Sequence, residues 1–418
     1  MEIARDRYVE MLRRRMGNGM IKVITGIRRC GKSYLLFELF YKYLLSLGVP
    51  GDHILRVALD DRANKQFRDP DELYRLIRSF VKDGKTCYVL LDEVQYVSEF
   101  EDVLNSVLHI SNVDAYVTGS HAKFLSKDII TEFRGRGDQI HLGPLSYREF
   151  SSAYEGAENR RLREYMLYGG LPFILKCTTP EQKVQYLEDL FTETYIRDVL
   201  NRNKIRNKEV LDDLLNIAAS SIGSLTNPNK LANTFRSVRH LNVSSNTISE
   251  YLNGLEDSFI LEKAFRYDVK GKKYIDTPLK YYFTDLGLRN ARIGFRQYEE
   301  THIMENVIFN DLRCRGYAVD IGNITISEKN GNGNYVRKQV EVDFVCHQAD
   351  QRFYVQSALS VSDPDKLAQE VRPLVKIDDS FKKIIVVRDP VIPWRTEEGI
   401  LVIGIEDFLL HPGSLETL

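Results

Sequence analysis

Through the first 150 residues, short apolar runs alternate with stretches whose apolar residues recur at helical spacing. Ile21 to Thr25 is a β-branched run of strand length, and the chain from about Ser33 to Leu47 carries one apolar face. "TCYVLLDEVQ" is a second apolar run, closing on Asp92-Glu93, and "DAYVTGS" is a third, closing on Thr118-Gly119-Ser120. This alternation predicts an α/β fold with a parallel sheet. From residue 147 to 205 the pattern turns helical, broken at Gly169-Gly170 and Pro172, with Leu171, Phe173 and Ile174 as core positions.

Beyond that stretch, "EVLDDLLNIAASSIG" has helical periodicity, and "NPNKLANTFRS" opens a helix with an Asn cap before Pro228. "VSSNTISEYLNGLEDSFIL" predicts a further helix whose polar first turn includes Ser245, Asn246 and Thr247. Its Ile248, Tyr251, Leu252 and Leu255 face a core. "LEKAFRYDVKGKKYIDTPLKYYFTD" reads as a hairpin with Lys270, Lys272 and Lys273 at its tip. Helix–helix–hairpin order of this kind is that of a winged helix, with one helix for the major groove and the wing for phosphates. "THIMENVIFNDLRCRG" is then an amphipathic helix around Glu305. "KQVEVDFVCH", "RFYVQSALS", "FKKIIVVRD" and "GILVIG" are strands of a last, small α/β domain.

Composition narrows the function classes. A chain of 418 residues has room for two or three domains, and 43% hydrophobic with 28% charged residues is ordinary globular usage. The net charge of -1 gives no global field toward nucleic acid or membrane, so any DNA surface is a local patch. Five scattered cysteines without a CxxC spacing argue against a structural zinc and for a reducing compartment. With a charged N-terminus, no signal-type apolar region and no membrane-spanning run, the expected location is the cytoplasm, away from the membrane.

The strongest chemistry lies between the first strand and its helix. Gly26-x-x-x-x-Gly31-Lys32-Ser33 is a complete phosphate-binding loop in its strand–loop–helix context. Gly26, Ile27, Arg28, Arg29, Cys30, Gly31, Lys32, Ser33 and Tyr34 are the expected nucleotide-binding run. The glycines let backbone N–H groups turn toward phosphate oxygens, and the helix N-terminus adds its partial positive charge. Lys32 suits the β- and γ-phosphates, Ser33 and Asp92 suit Mg2+, and Glu93 suits activation of the attacking water.

These stretches, with "FRGRG", "PLSYREF", "YGGLPFIL" and "YIRDVL" in the same order, resemble the bacterial and archaeal AAA-type ATPases that carry a C-terminal domain of unknown function. The resemblance implies a P-loop NTPase core at 1–146, a helical lid or linker at 147–205, a winged helix at 206–290 and a restriction-endonuclease-like domain at 291–418. It implies ATP as nucleotide, Ser120 as the γ-phosphate sensor with Thr118 second, and Arg136, ahead of Arg134, as a finger completing a neighbouring subunit's site in a homo-oligomer. The last domain is similar to PD-(D/E)xK nucleases, with Glu305, Asp343 and Gln356 in the order of their metal-site acids. Gln356 brings no charge, Ala358 stands where the lysine belongs, and neither Lys338 nor Lys366 has its place, so this domain is expected to be inactive as a nuclease. The expected function is an Mg2+-dependent ATPase coupled to a DNA-binding C-terminal half. The alternatives are a slow, STAND-like nucleotide switch acting on a protein partner, or an ATP-coupled nuclease.

Overall fold

The structure is a computed structural model that describes residues 2–119, 133, 135–196, 199–200, 207–329 and 335–415. The chain divides into two compact units: Met1–Pro144 with Asp257–Phe259, and Leu145–Glu256 with Ile260–Leu418.

In the first unit, β1 (Ile21–Thr25), β2 (Ile54–Ala58), β3 (Cys87–Asp92), β4 (Val113–Thr118) and β5 (Gly137–His141) form one sheet in the order β2-β3-β4-β1-β5. Every pairing in it is parallel. A central parallel strand is buried on both faces, which is why β1 reads as a continuous apolar run. All five of its residues are buried, and Lys22 is tolerated there because its ammonium pairs with Asp114 of β4. Val23, Val89, Leu91 and Val117 pack with Ile77, Phe100 and Leu104 in the core of the sheet. Because the strands are parallel, the ends of β1, β3 and β4 at Thr25, Asp92 and Thr118 share one edge. This five-stranded parallel sheet is the arrangement of a P-loop AAA fold.

The second unit opens with the helix Tyr147–Ser152, started by a capping box between Ser146 and Glu149. The helix Glu158–Tyr168 ends at Gly169, whose φ is +74°; a Cβ there would lie 2.2 Å from Asp285 Oδ1. Asp285 is buried and accepts hydrogen bonds from Gly170 N at 2.7 Å and Leu288 N at 3.1 Å. That carboxylate is what the double glycine of "YGGLP" turns around. Burial raises its pKa to about 6, against the pull of the backbone N–H groups it accepts. Of the three core positions expected in this loop, Leu171 and Ile174 are buried. Phe173 instead lies exposed, its ring 4.7 Å from that of Tyr186.

The helices Lys208–Ser220, Pro228–Val238 and Ser245–Asp257 follow, the second capped by Asn227 onto Lys230 N. Ile248, Tyr251, Leu252 and Leu255 are all buried, as their spacing requires. Next come β6 (Leu261–Asp268) and β7 (Lys273–Phe283), an antiparallel hairpin. The hairpin does not stand apart. Its β6 pairs in parallel with β8 (Ala318–Lys329), from Arg266↔Ile321 to Asp268↔Asn323. The sheet continues through β9 (Tyr335–Gln348), β10 (Gln351–Ala358), β11 (Lys382–Val387), β12 (Trp394–Arg395) and β13 (Leu401–Gly404). Its order is β12-β13-β11-β10-β9-β8-β6-β7. The boundary expected at 290/291 thus separates strands of one hydrogen-bonded sheet. Local alternation specifies a hairpin; which distant strand takes its free edge is set by tertiary packing, here of Tyr267 and Val269 against Ile324, Ile326 and Val342. No helix among the described residues is long and apolar enough to cross a membrane.

Candidate nucleotide site

β1 delivers the chain into the loop at Gly26. With φ at +144°, and with a Cβ that would lie 2.1 Å from the Leu142 carbonyl oxygen, this position admits glycine alone. Arg29 and Gly31 also have left-handed backbones, φ +65° and +102°, which curl the loop before the helical stretch that begins at Lys32 and runs through Ser46. Lys32 is buried, and its ammonium donates to the carbonyls of Gly26 at 3.0 Å and Ile27 at 3.2 Å. The loop therefore holds its own lysine ready where phosphate charge is to be met.

Arg5 braces the loop from below. Its guanidinium donates to the carbonyl of Cys30 at 3.2 Å, of Gly143 at 3.0 Å and of Pro144 at 3.4 Å. The Cys30 thiol donates to Leu142 O at 3.3 Å, and burial pushes its pKa up, so it packs as a thiol rather than a nucleophile. No local signal marks Arg5 in the sequence, since its partners lie far along the chain.

The carboxylate edge assembles around Thr118. Asp92, only 3% exposed, accepts a hydrogen bond from the Thr118 hydroxyl and another from Ser33. The Thr118 hydroxyl in turn accepts from Glu93 N at 2.9 Å. Burial pushes the Asp92 carboxyl above its ordinary range; Thr118 and Ser33 pull it back, while the charges of Glu93 and Asp60 add to the push. A buried carboxylate beside a serine hydroxyl, with two further acids near, is a donor set that fits a hydrated divalent cation. Glu93 itself has φ +53°, a strained backbone for a residue with a side chain, and its carboxylate accepts from the Gln95 amide. Sequence reasoning ranks Thr118 behind Ser120 and passes over Gln95. Ser120 and Arg134 lie outside the described residues. Arg136 precedes β5, and its carbonyl accepts from Ile21 N at 2.9 Å, at the start of β1. Strand β1 thus separates it from the P-loop by roughly 16 Å at 3.3 Å per residue, so it does not join Lys32 and Asp92.

Over residues 18–151 the chain matches the family described as "AAA domain", and over 159–299 the family described as "Domain of unknown function (DUF8612)". A Haemophilus influenzae protein described as uncharacterized is 32% identical over 416 residues, spanning 98% of this chain and 99% of that protein. The chain belongs to that protein's family. The AAA-domain match covers most of the first unit. The archaeal protein MJ1544 of Methanocaldococcus jannaschii, also described as uncharacterized, is 28% identical over 412 residues, 93% of this chain and 85% of that protein. Among solved structures, that of the Aeropyrum pernix ORC1 protein in complex with DNA overlaps 70% of this chain and 93% of its own, at 11% identity and a TM-score of 0.29. An overlap that loose leaves function to be argued from this chain's own residues.

The second unit holds the remaining candidates. Ser245, Asn246 and Thr247 form the first turn of their helix, where Ser244 Oγ accepts from Thr247 N at 3.1 Å. Lys270, Lys272 and Lys273 are exposed at the hairpin tip, around a turn in which Asp268 accepts from Gly271 N at 2.9 Å. Glu305, Asp343 and Gln356 come near one another, together with Glu341, the other acid of the "EVDF" pair, and with Lys280 and Tyr282, which sequence reasoning does not single out. Gln356 turns its amide to Glu370 at 3.0 Å, because Tyr354 and Ala358, two positions either side of it, pack on the face of the helix Pro364–Val375.

Proposed function

We propose that this protein is an Mg2+-dependent ATPase whose nucleotide state is coupled to a DNA-binding second unit. The observation that carries the reading is the hydrogen-bonded chain Ser33–Asp92–Thr118–Glu93 beside the loop that holds Lys32. In this reading the loop amides and Lys32 bind the phosphates. Ser33 and Asp92 hold Mg2+, which supplies charge neutralisation at the transferred phosphoryl group. Glu93 orients the attacking water and takes its proton. Thr118 sets the separation of Asp92 and Glu93 by bonding both, Ser120 senses the γ-phosphate, and Arg136 completes a neighbouring subunit's site.

For the second unit we read a winged helix: the helix Ser245–Asp257 presents Ser245, Asn246 and Thr247 to the major groove, and the hairpin tip presents Lys270, Lys272 and Lys273 to phosphates. Duplex DNA binding measured over a salt series tests this. Changing the three lysines to glutamate is expected to weaken binding at least tenfold and to flatten the dependence of log K on log salt by roughly 3, about 0.9 for each phosphate that a lysine no longer neutralises. Binding that ignores these changes, or no binding at all, would instead favour a nucleotide switch acting on a protein partner.

A further inference from the structure

The likeness to PD-(D/E)xK nucleases implies a divalent cation among Glu305, Asp343 and Gln356, and the residues present do not fit one. Both ends of the Gln356 amide are committed: Oε1 accepts from Asp343 N at 3.3 Å, and Nε2 donates to Glu370. Asp343 Oδ2 accepts from Ser357 N at 2.8 Å. Glu305 Oε1 accepts from Tyr282 Oη at 2.6 Å and from Lys280 Nζ at 2.8 Å, which uses both lone pairs of that oxygen. The same ammonium lies 2.7 Å from Glu341 Oε1. It thus joins β7, the helix Glu300–Cys314 and β9 at one point.

Lys280 is only 4% exposed. A lysine at that depth is held by its carboxylates or not at all. A magnesium or manganese ion requires near-contact oxygens, about 2.1 Å for Mg2+. One of the oxygens it would take, Glu305 Oε1, already accepts from the ammonium, and a second cation beside it would meet the ammonium's repulsion at close range.

We propose that the Lys280 ammonium is the resident cation of this carboxylate cluster and stands where nuclease-like folds place a divalent metal. The lysine missing from position 358 is therefore not replaced as a catalytic group. Lys280 arrives from a different strand and neutralises the acids instead. The cluster then serves to lock the hairpin, helix and central strands of the second unit together, leaving the fold able to grip a partner without cutting it.

Manganese titration of the full chain without nucleotide, followed by Mn2+ electron paramagnetic resonance, tests this. Asp92→Asn is included in every protein so that the P-loop site contributes nothing. The parent is expected to show no binding that depends on Asp343. Lys280→Met is expected to bind one Mn2+ at least tenfold more tightly than the parent, and adding Asp343→Asn is expected to cancel that gain. A parent that binds Mn2+ and loses it with Asp343→Asn would overturn the proposal, because metal and ammonium would then coexist. So would a Lys280→Met protein that folds, by far-ultraviolet circular dichroism, and gains nothing. If Lys280→Met does not fold, the parent decides alone: Asp343-dependent binding overturns the proposal, and its absence upholds it.

Discussion

Glu93→Gln is expected to bind ATP about as tightly as the wild type and to release phosphate at least about a hundredfold more slowly, the usual range for loss of a general base being 10² to 10⁴. The expectation follows from how the residue is held. Its backbone N–H is fixed to Thr118 Oγ1, and Thr118 also donates to Asp92, so the acid's place depends on the end of β4 and not on its own charge. Glutamine keeps the shape and the contact with Gln95 but cannot take a proton. The phosphate-binding loop and Lys32 are untouched, so affinity should survive. Filter binding and a phosphate-release assay on the same preparation separate the two effects. Equal losses in both would mean that Glu93 shapes the loop and does no chemistry.

Lys280→Met is expected to lower the unfolding free energy by about 3–5 kcal/mol, the range for removing one partner of a buried ion pair. The substitution takes away the ammonium that Glu305 and Glu341 share, with Asp343 close by. Burial opposes charge on both Lys280 and Glu305. Glu305, Glu341 and Asp343 nevertheless hold the ammonium well above its ordinary pKa, and Lys280, with His302 and Tyr282, holds the Glu305 carboxyl below its own. Because the loss comes mainly from stranded charge, Lys280→Met combined with Glu305→Gln should cost less than the sum of the single changes. Urea unfolding followed by circular dichroism reads this coupling, and strict additivity would contradict it.

What is legible in the sequence follows from distance along the chain. Gly26 to Ser33 is one contiguous turn, and its residue types dictate the loop directly. Asp92 and Thr118 are farther apart, yet each ends an apolar run, and parallel strands bring such ends to one edge. Arg5 cannot be found this way, because it reaches Cys30 across 25 residues and Gly143 across 138. Lys280 is hidden for a related reason. Within its own stretch it is one more basic residue of a hairpin, and only the pairing of β6 with β8 brings that hairpin into the sheet that carries Glu341 and Asp343. Gln356 stands out by its spacing to residue 358, but spacing along a strand does not say which face meets which helix, and its amide goes to Glu370.

Phosphate release from Mg2+-ATP by the wild type and by Lys32→Ala, measured side by side, decides whether this site turns over ATP. Steady release by the wild type is expected, falling to background in Lys32→Ala and when Mg2+ is chelated. Wild-type release no faster than that of Lys32→Ala would mean that the P-loop does not hydrolyse ATP.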